Sequence, residues 1–153
     1  GMPQGSVKVA IVICQKGHHT RLVYQEGQTY INPCPGLCVD ATGGENAITH
    51  STINEFYLNS HVAIQGTAKP CKYSLVFDEV GFTLSEVQLL TYWSTYLYAR
   101  CNKSVSYATP AYYAHWASKR GKDLFAAGGT PQDLLDISAT WSKSKSPTTM
   151  FFI

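Results

Sequence analysis

Val7-Lys-Val-Ala-Ile-Val-Ile-Cys14 is a short, nearly continuous apolar run rich in β-branched residues. A run of that kind reads as a central strand covered on both faces, and so asks for layers on either side of a sheet. The chain can supply them: its 153 residues, 44% hydrophobic, suffice for one domain with a real core and are too few for two comfortable ones. Gln15-Lys-Gly-His-His-Thr-Arg21 leaves the carboxyl end of that strand with two cations and two histidines, where open α/β sheets keep their ligands.

Further along, Leu22–Tyr24 and Thr29–Ile31 flank Gln25-Glu-Gly-Gln28 and predict a small hairpin. A Pro/Gly-rich loop runs over 32–45, with Val39-Asp40 as a strand end and a break at Gly43-Gly44. Phe56–His61 and Val62–Ile64 suggest a strand pair or one bent strand. Gln65-Gly-Thr-Ala-Lys-Pro70 is a polar loop that reads equally as a phosphate contact and as a plain turn. Over 72–78, Tyr73, Leu75 and Phe77 alternate with Lys72, Ser74, Val76 and Asp78, as in a strand with one wetter face.

Thr83-Leu-Ser-Glu86 is a capping box that opens a helix predicted to reach about Arg100. Val87, Leu90, Leu97 and Cys101 form one stripe and Leu89, Trp93 and Tyr96 another, so the helix is expected to be largely enclosed. An extended stretch over 104–109 leads into a helix capped by Thr109, with Pro110 at its first position and Gly121 at its end. Thr130-Pro-Gln-Asp133 caps a last amphipathic helix bearing Leu134, Ile137 and Trp141. A Lys/Ser/Pro linker over 142–149 precedes the apolar ending Met150-Phe-Phe-Ile153.

The 110–122 helix is the chemically unusual element. Tyr112, His115 and Lys119 share one stripe, while Tyr113, Trp116 and Arg120 share another. His115 and Arg120 lie roughly 140° apart around the axis, too far to serve one atom, so two separate tasks are implied. From Arg100 through Lys122 the chain carries Arg100, Lys103, Lys119, Arg120 and Lys122 without one Asp or Glu. Cations interleaved with Tyr and Trp suit single-stranded nucleic acid, because phosphates need charge and bases need flat faces. The same pattern also fits a half-buried helix with aromatics inward and cations outward.

The formal charge of +2 is mild, so a nucleic-acid surface must arise by clustering. No apolar run approaches a membrane span, and Met2-Pro-Gln-Gly does not open a signal peptide. Gly1 ahead of Met2 reads as the residue left by a cleaved tag, and 1–6 as a flexible lead. Five scattered cysteines, Cys14, Cys34, Cys38, Cys71 and Cys101, imply reduced thiols in cytoplasm or nucleus. Cys34-Pro-Gly-Leu-Cys38 has a spacing that permits zinc, but no second paired motif supports it. Neither a phosphate loop, a nucleophile elbow nor a close acid/base carboxylate pair is present.

Five blocks in one order carry a resemblance: His18–Leu22, Ser60–Pro70, Leu90–Tyr92, Arg100–Val105 and Pro110–His115. Together they resemble the carboxyl-terminal half of the PIWI domain of Argonaute proteins, from about Val7 to the end. The ending 150–153 is similar to the family terminus, and Ala114–Lys122 is similar to the nematode-expanded, secondary-small-RNA branch.

The resemblance implies a partial ribonuclease H-like α/β fold, a mixed sheet with flanking helices, forming a single domain over 1–153. It implies binding of a single-stranded guide RNA and presentation of that guide to a target RNA in gene silencing. Carried over position by position, Arg120 matches the arginine that reaches the guide's 5′-phosphate pocket, which the carboxylate of Ile153 would approach. Lys16, Arg21, His61, Gln65, Lys69, Arg100, Ser106 and Tyr112 match contacts to the guide backbone, and Lys103 stands where an arginine is common. His115 matches the fourth member of a catalytic tetrad whose three carboxylates lie upstream of this chain.

Two-metal cleavage needs such carboxylates, so the chain alone is expected to be no enzyme and to hold no metal cofactor. Mg²⁺ would belong to a full-length cleaving parent. The implied partners are the guide and target RNAs, the MID domain and the upstream PIWI half. A cleaving parent and a fragment that docks tryptophan-rich proteins are the alternative readings. Gly17 replaces a frequent arginine, and Lys69 supplies charge without the bidentate fork. Without the first strands of such a sheet, the edge of Val7–Cys14 is expected to be exposed, inviting a homodimer by edge pairing.

Overall fold

The computed structural model describes residues 7–40, 54–133 and 135–136, which fall into two compact units divided between Thr109 and Pro110. The first unit is built on a four-stranded sheet in the order β1-β6-β5-β4, from Ala10–Gln15 (β1), Leu37–Asp40 (β4), Asn54–Asn59 (β5) and Cys71–Asp78 (β6). Tyr24–Glu26 (β2) and Thr29–Ile31 (β3) form the expected hairpin beside it. Every pairing in the four-stranded sheet is antiparallel, so the mixed sheet expected from the resemblance is wholly antiparallel among the described residues.

The strand covered on both faces is β5, not β1. Glu55, Phe56, Tyr57, Leu58 and Asn59 are all buried in succession, and Phe56 stacks on Tyr73 of β6 at 5.3 Å. By contrast, among the described residues β1 is an edge that pairs with β6 alone, and its Ile11, Val12 and Ile13 are exposed, Ile13 by 52%. The apolar run was therefore a true strand in the wrong place: composition reports a demand for cover, while position in the sheet depends on which strands pair.

Alternation along β6 holds through Leu75 and then breaks. Ile11 faces Phe77 but Val12 faces Leu75, so Val76 is an extra residue, a bulge. One inserted residue moves the following side chains to the other face. Phe77, expected beside Tyr73 and Leu75, is accordingly 47% exposed. The strand expected at 62–64 is absent: β5 stops at Asn59, and Val62 and Ile64 are exposed in a loop.

Helix α1, Leu84–Ser94, opens on the predicted capping box, with Glu86 Oε2 accepting from the Thr83 N–H at 2.8 Å. It ends six residues before Arg100 because Ser94 and Thr95 turn their hydroxyls onto the carbonyls of Thr91 and Tyr92, each at 2.7 Å. The helix packs on β5, burying Val87 and Thr91, and Gln88 donates to Asp40 of β4 at 2.7 Å. It is not enclosed as expected; Leu89, Leu90 and Trp93 face outward, Trp93 by 57%. Gly36, at φ +95°, sits under α1 where an added Cβ would meet the Tyr92 ring at 3.4 Å.

In the second unit, helix α2, Thr109–Ala126, runs through Gly121 to a stop further on. Gly128, at φ +89°, donates to Phe125 O at 3.0 Å, and Gly129 donates to Leu124 O at 2.9 Å. That is a Schellman cap, whose left-handed residue glycine adopts without steric cost. Gly121 ends nothing because helical residues on both sides carry the backbone through it. Residues 131–133 and 135–136 are helical behind a Thr130–Asp133 capping pair at 2.6 Å. Leu134, Ile137, Trp141, the break at Gly43-Gly44 and the ending 150–153 lie outside the described residues.

Replacing Phe56 by Ala is expected to cost about 3–5 kcal/mol of unfolding free energy. Thr83→Ala should cost about 1 kcal/mol, the worth of an N-cap. Urea denaturation of the two variants checks both values.

Candidate functional site

The antiparallel order brings the end of β1, the end of β5, the start of β4 and the start of β6 to one end of the sheet. Three segments therefore meet there: 16–22 after β1, 60–70 between β5 and β6, and the approach to β4 at 33–36. A fourth is fastened to them, since Ser60 Oγ donates to Val105 O at 2.6 Å and Val105 N donates to Thr95 O at 3.0 Å. The loop 95–105 is thus closed at its root against the end of β5, and Arg100 and Lys103 stand exposed on it.

Side chains pin the loops individually. Buried Asn59 donates from Nδ2 to Pro33 O at 3.1 Å and to His61 O at 3.3 Å. Asn32 grips the 60–70 loop twice, donating to Gly66 O at 2.8 Å and accepting from Ala68 N at 2.8 Å. His18 Nε2 donates to Pro70 O at 2.8 Å, and its buried Nδ1 has no partner among the described residues. The His18 ring stands edge-on to Tyr57 at 5.1 Å, and Thr20 Oγ1 donates to the Tyr57 hydroxyl at 3.3 Å. Tyr73 accepts from Ala108 N at 2.8 Å, fixing the far end of the 105–108 segment.

Of the residues expected to touch RNA, Lys16, Arg21, His61, Gln65, Lys69 and Ser106 are brought to this end, together with Arg100 and Lys103 on the fastened loop. Lys16 Nζ donates to the Tyr107 hydroxyl at 3.1 Å and lies 4.3 Å from the Tyr107 ring centroid, which orients an ammonium that retains further donors. Arg21 folds back onto the carbonyls of Thr20 and His18 at 2.7 and 3.2 Å and remains exposed. Gln65 and Lys69 are exposed and Ser106 is half-buried. His61 is half-buried with no partner for Nδ1 among the described residues, and burial lowers its pKa below the ordinary histidine value.

The electrostatics of the two sheet ends differ. Segments 16–22, 60–70 and 95–108 hold Lys16, Arg21, Lys69, Arg100, Lys103 and three histidines, with no Asp or Glu. At the opposite end the carboxylates are engaged: Asp78 accepts from the N–H groups of Val80, Gly81 and Phe82, and Glu79 from that of Val9. Glu55 pairs with Lys72 at 2.8 Å.

On α2 of the second unit, Tyr112 is half-buried and His115, Lys119 and Arg120 are exposed. Lys119 Nζ lies 5.1 Å from the Trp116 ring centroid. His115 and Arg120 are not brought together; their spacing on one continuous helix keeps them on different faces. Ile153 lies outside the described residues. Among the described residues, no three His, Cys, Asp or Glu side chains converge as a metal site, the Cys34/Cys38 loop included.

Asn32, Asn59 and Tyr107 were missed by sequence reasoning. An Asn ahead of Pro33 signalled a turn but not its partners 34 and 36 residues away.

The family model described as Piwi domain matches residues 2–125. The chain belongs to the Piwi domain family. Protein argonaute 5 of Arabidopsis thaliana is 46% identical over 116 residues, 75% of this chain and 12% of that protein. Protein argonaute 13 of Oryza sativa is 36% identical over 151 residues, 95% of this chain and again 12% of the relative. The chain thus spans about an eighth of these relatives' length.

Among solved structures, the C-terminal lobe of a budding yeast Argonaute shares the fold at a TM-score of 0.73 and 23% identity, covering 95% of this chain and 31% of the lobe. Kluyveromyces polysporus Argonaute with a guide RNA reaches 0.69 at 27% identity, over 79% of this chain and 14% of that one. The α/β, ribonuclease H-like architecture and the Argonaute PIWI resemblance read from the five blocks both hold.

A depressed His61 pKa carries a sign. The unfolded histidine takes up its proton near pH 6.5 while the folded one resists, so stability is highest above that pH and falls as pH drops below it. The urea midpoint should fall between pH 7 and pH 5 more steeply in the parent chain than in His61→Gln; equal slopes would remove His61 from the account.

Proposed function

We propose that this chain binds the backbone of a single-stranded guide RNA across the acid-free end of its sheet, as part of an Argonaute acting in RNA-mediated silencing. The observation that carries the proposal is the convergence of five cations and three histidines, with no carboxylate, on loops tied to one another by hydrogen bonds. Cations set on restrained loops meet successive phosphates with little ordering left to do. A neighbour in the same family has been solved with a guide RNA, which supports the choice of ligand.

Within this reading, Lys16, Arg21, Lys69, Arg100 and Lys103 supply charge to the phosphates, and His61, Gln65, Ser106 and Tyr112 add hydrogen bonds. Arg120 serves the guide's 5′ phosphate. His115 is a metal ligand only in company with carboxylates from outside this chain. Alone, the chain binds without cutting, because cleavage by two cations needs several carboxylates around them.

Binding of a short single-stranded RNA should weaken with salt at a slope of about −0.7 per phosphate contacted, or about −3.5 if all five cations engage. Arg21→Ala with Lys69→Ala should flatten that slope by about 1.4. Lys8→Ala, near the opposite end, should leave it unchanged. Fluorescence anisotropy across a salt series reads all three, and a slope indifferent to the double variant would overturn the proposal.

Incubation of end-labelled RNA with the chain and Mg²⁺ or Mn²⁺ should leave the RNA intact. Site-specific cutting that disappears in His115→Ala would show instead that the chain is a nuclease.

A further inference from the structure

Five free cysteines play no part in the RNA reading, and two of them touch. Cys14 of β1 and Cys71, the first residue of β6, bring their sulfurs to 3.3 Å. On its β1 side Cys71 lies beyond the last paired residues, Gln15 and Lys72, so this corner of the ladder is already open. Cys71 is buried, with its thiol also directed at Gln15 O at 3.4 Å, whereas Cys14 is only half-buried.

The two thiols hold their protons unequally. The hydrogen bond from Cys71 lowers the pKa of Cys14, and the Tyr73 hydroxyl and Lys16 ammonium act in the same direction against the cost of burial. Cys71 moves the opposite way, its proton retained by the bond to Cys14 and by burial. The remaining cysteines lack this arrangement. Cys38 is pushed up to about 12 by burial and by Asp40, and Cys34 and Cys101 are exposed residues.

We propose that Cys14 and Cys71 form a peroxide-responsive thiol–disulfide couple, in which Cys14 is the attacking sulfur and Cys71 the resolving one. Reactive cysteines of this kind combine thiolate character, solvent access and a neighbouring resolving thiol. The Cys14 thiolate attacks one oxygen of hydrogen peroxide, breaking the O–O bond to give a sulfenic acid and hydroxide. Cys71 then displaces the sulfenic oxygen as water, its proton included, and the S–S bond forms. Overall two thiols are oxidised by two electrons and one peroxide is reduced to two waters. The sulfurs must close from 3.3 Å to about 2.05 Å, a displacement made at the open corner of the β1–β6 ladder. The product would tie the root of the 16–22 loop to the root of the 60–70 loop.

The test treats the reduced full chain with hydrogen peroxide, alkylates remaining thiols and maps the peptides by mass spectrometry. The expected result is one cross-linked species joining Cys14 to Cys71, lighter by two hydrogens and reversed by dithiothreitol, formed before Cys38 is modified. Cys71→Ser should halt the reaction at a Cys14 sulfenic acid that dimedone traps, and Cys14→Ser should leave Cys71 reduced. Both thiols remaining alkylatable in the parent chain while Cys34 or Cys101 oxidises would overturn the proposal. So would oxidation of Cys71 at an unchanged rate in Cys14→Ser. Neither readout involves RNA, so the outcome is independent of the binding proposal.

Discussion

The arrangement of this chain depends on two polar side chains at the point where β5 leaves the sheet. Asn59 and Ser60 are buried without any exposed surface, where an unpaired amide or hydroxyl is costly, so each must find a partner. They find backbone carbonyls of other segments: Pro33 and His61 for Asn59, Val105 for Ser60. Because those carbonyls belong to separate stretches of chain, pairing the Asn59 amide N–H groups and the Ser60 hydroxyl also fixes where three loops begin. Asn32 and His18 repeat the device on the 60–70 loop from outside the sheet.

That scaffold gives the charge distribution its meaning. A modest excess of cations over the whole sequence carries little information, but the sheet sends its acid-free loops to one end and its engaged carboxylates to the other. Repulsion among Lys16, Arg21, Lys69, Arg100 and Lys103 is the cost of such sorting, eased by exposure to solvent and, for Lys16, by the Tyr107 ring. A polyanion laid across the loops would relieve it further. Among the described residues, the edge of β1 and the outward face of α1 are the complementary feature, apolar surface left exposed.

Legibility varied with the range of the interactions involved. The capping box at Thr83, the hairpin around Gly27-Gln28 and the capping pair at Thr130 were readable because each closes between residues at most a few positions apart, and the start of β6 because its side chains alternate. Most of the site residues were named through five ordered motifs, and eight of them prove to lie on loops of one sheet end. Failures came where a distant contact decides. A bulge at Val76 turns Phe77 outward, and only the register against β1 reveals it. One failure was local: Gly121 looked like a helix end, yet the stop is the Schellman turn at Gly128. Asn32, Asn59 and Tyr107 are ordinary residue types whose importance comes from partners far along the chain.

By itself, the sequence determined most of the extended and helical segments and which loops carry charge without acid, since periodicity, capping and composition are local properties of the chain. The family followed from the order of its motifs. Tertiary structure alone decided that β5 rather than the Val7–Cys14 strand lies at the covered centre, and that Cys14 and Cys71 touch. The reason is physical: an apolar run states how much water it would shed, but which strand lies beside it is settled by pairing over the whole sheet.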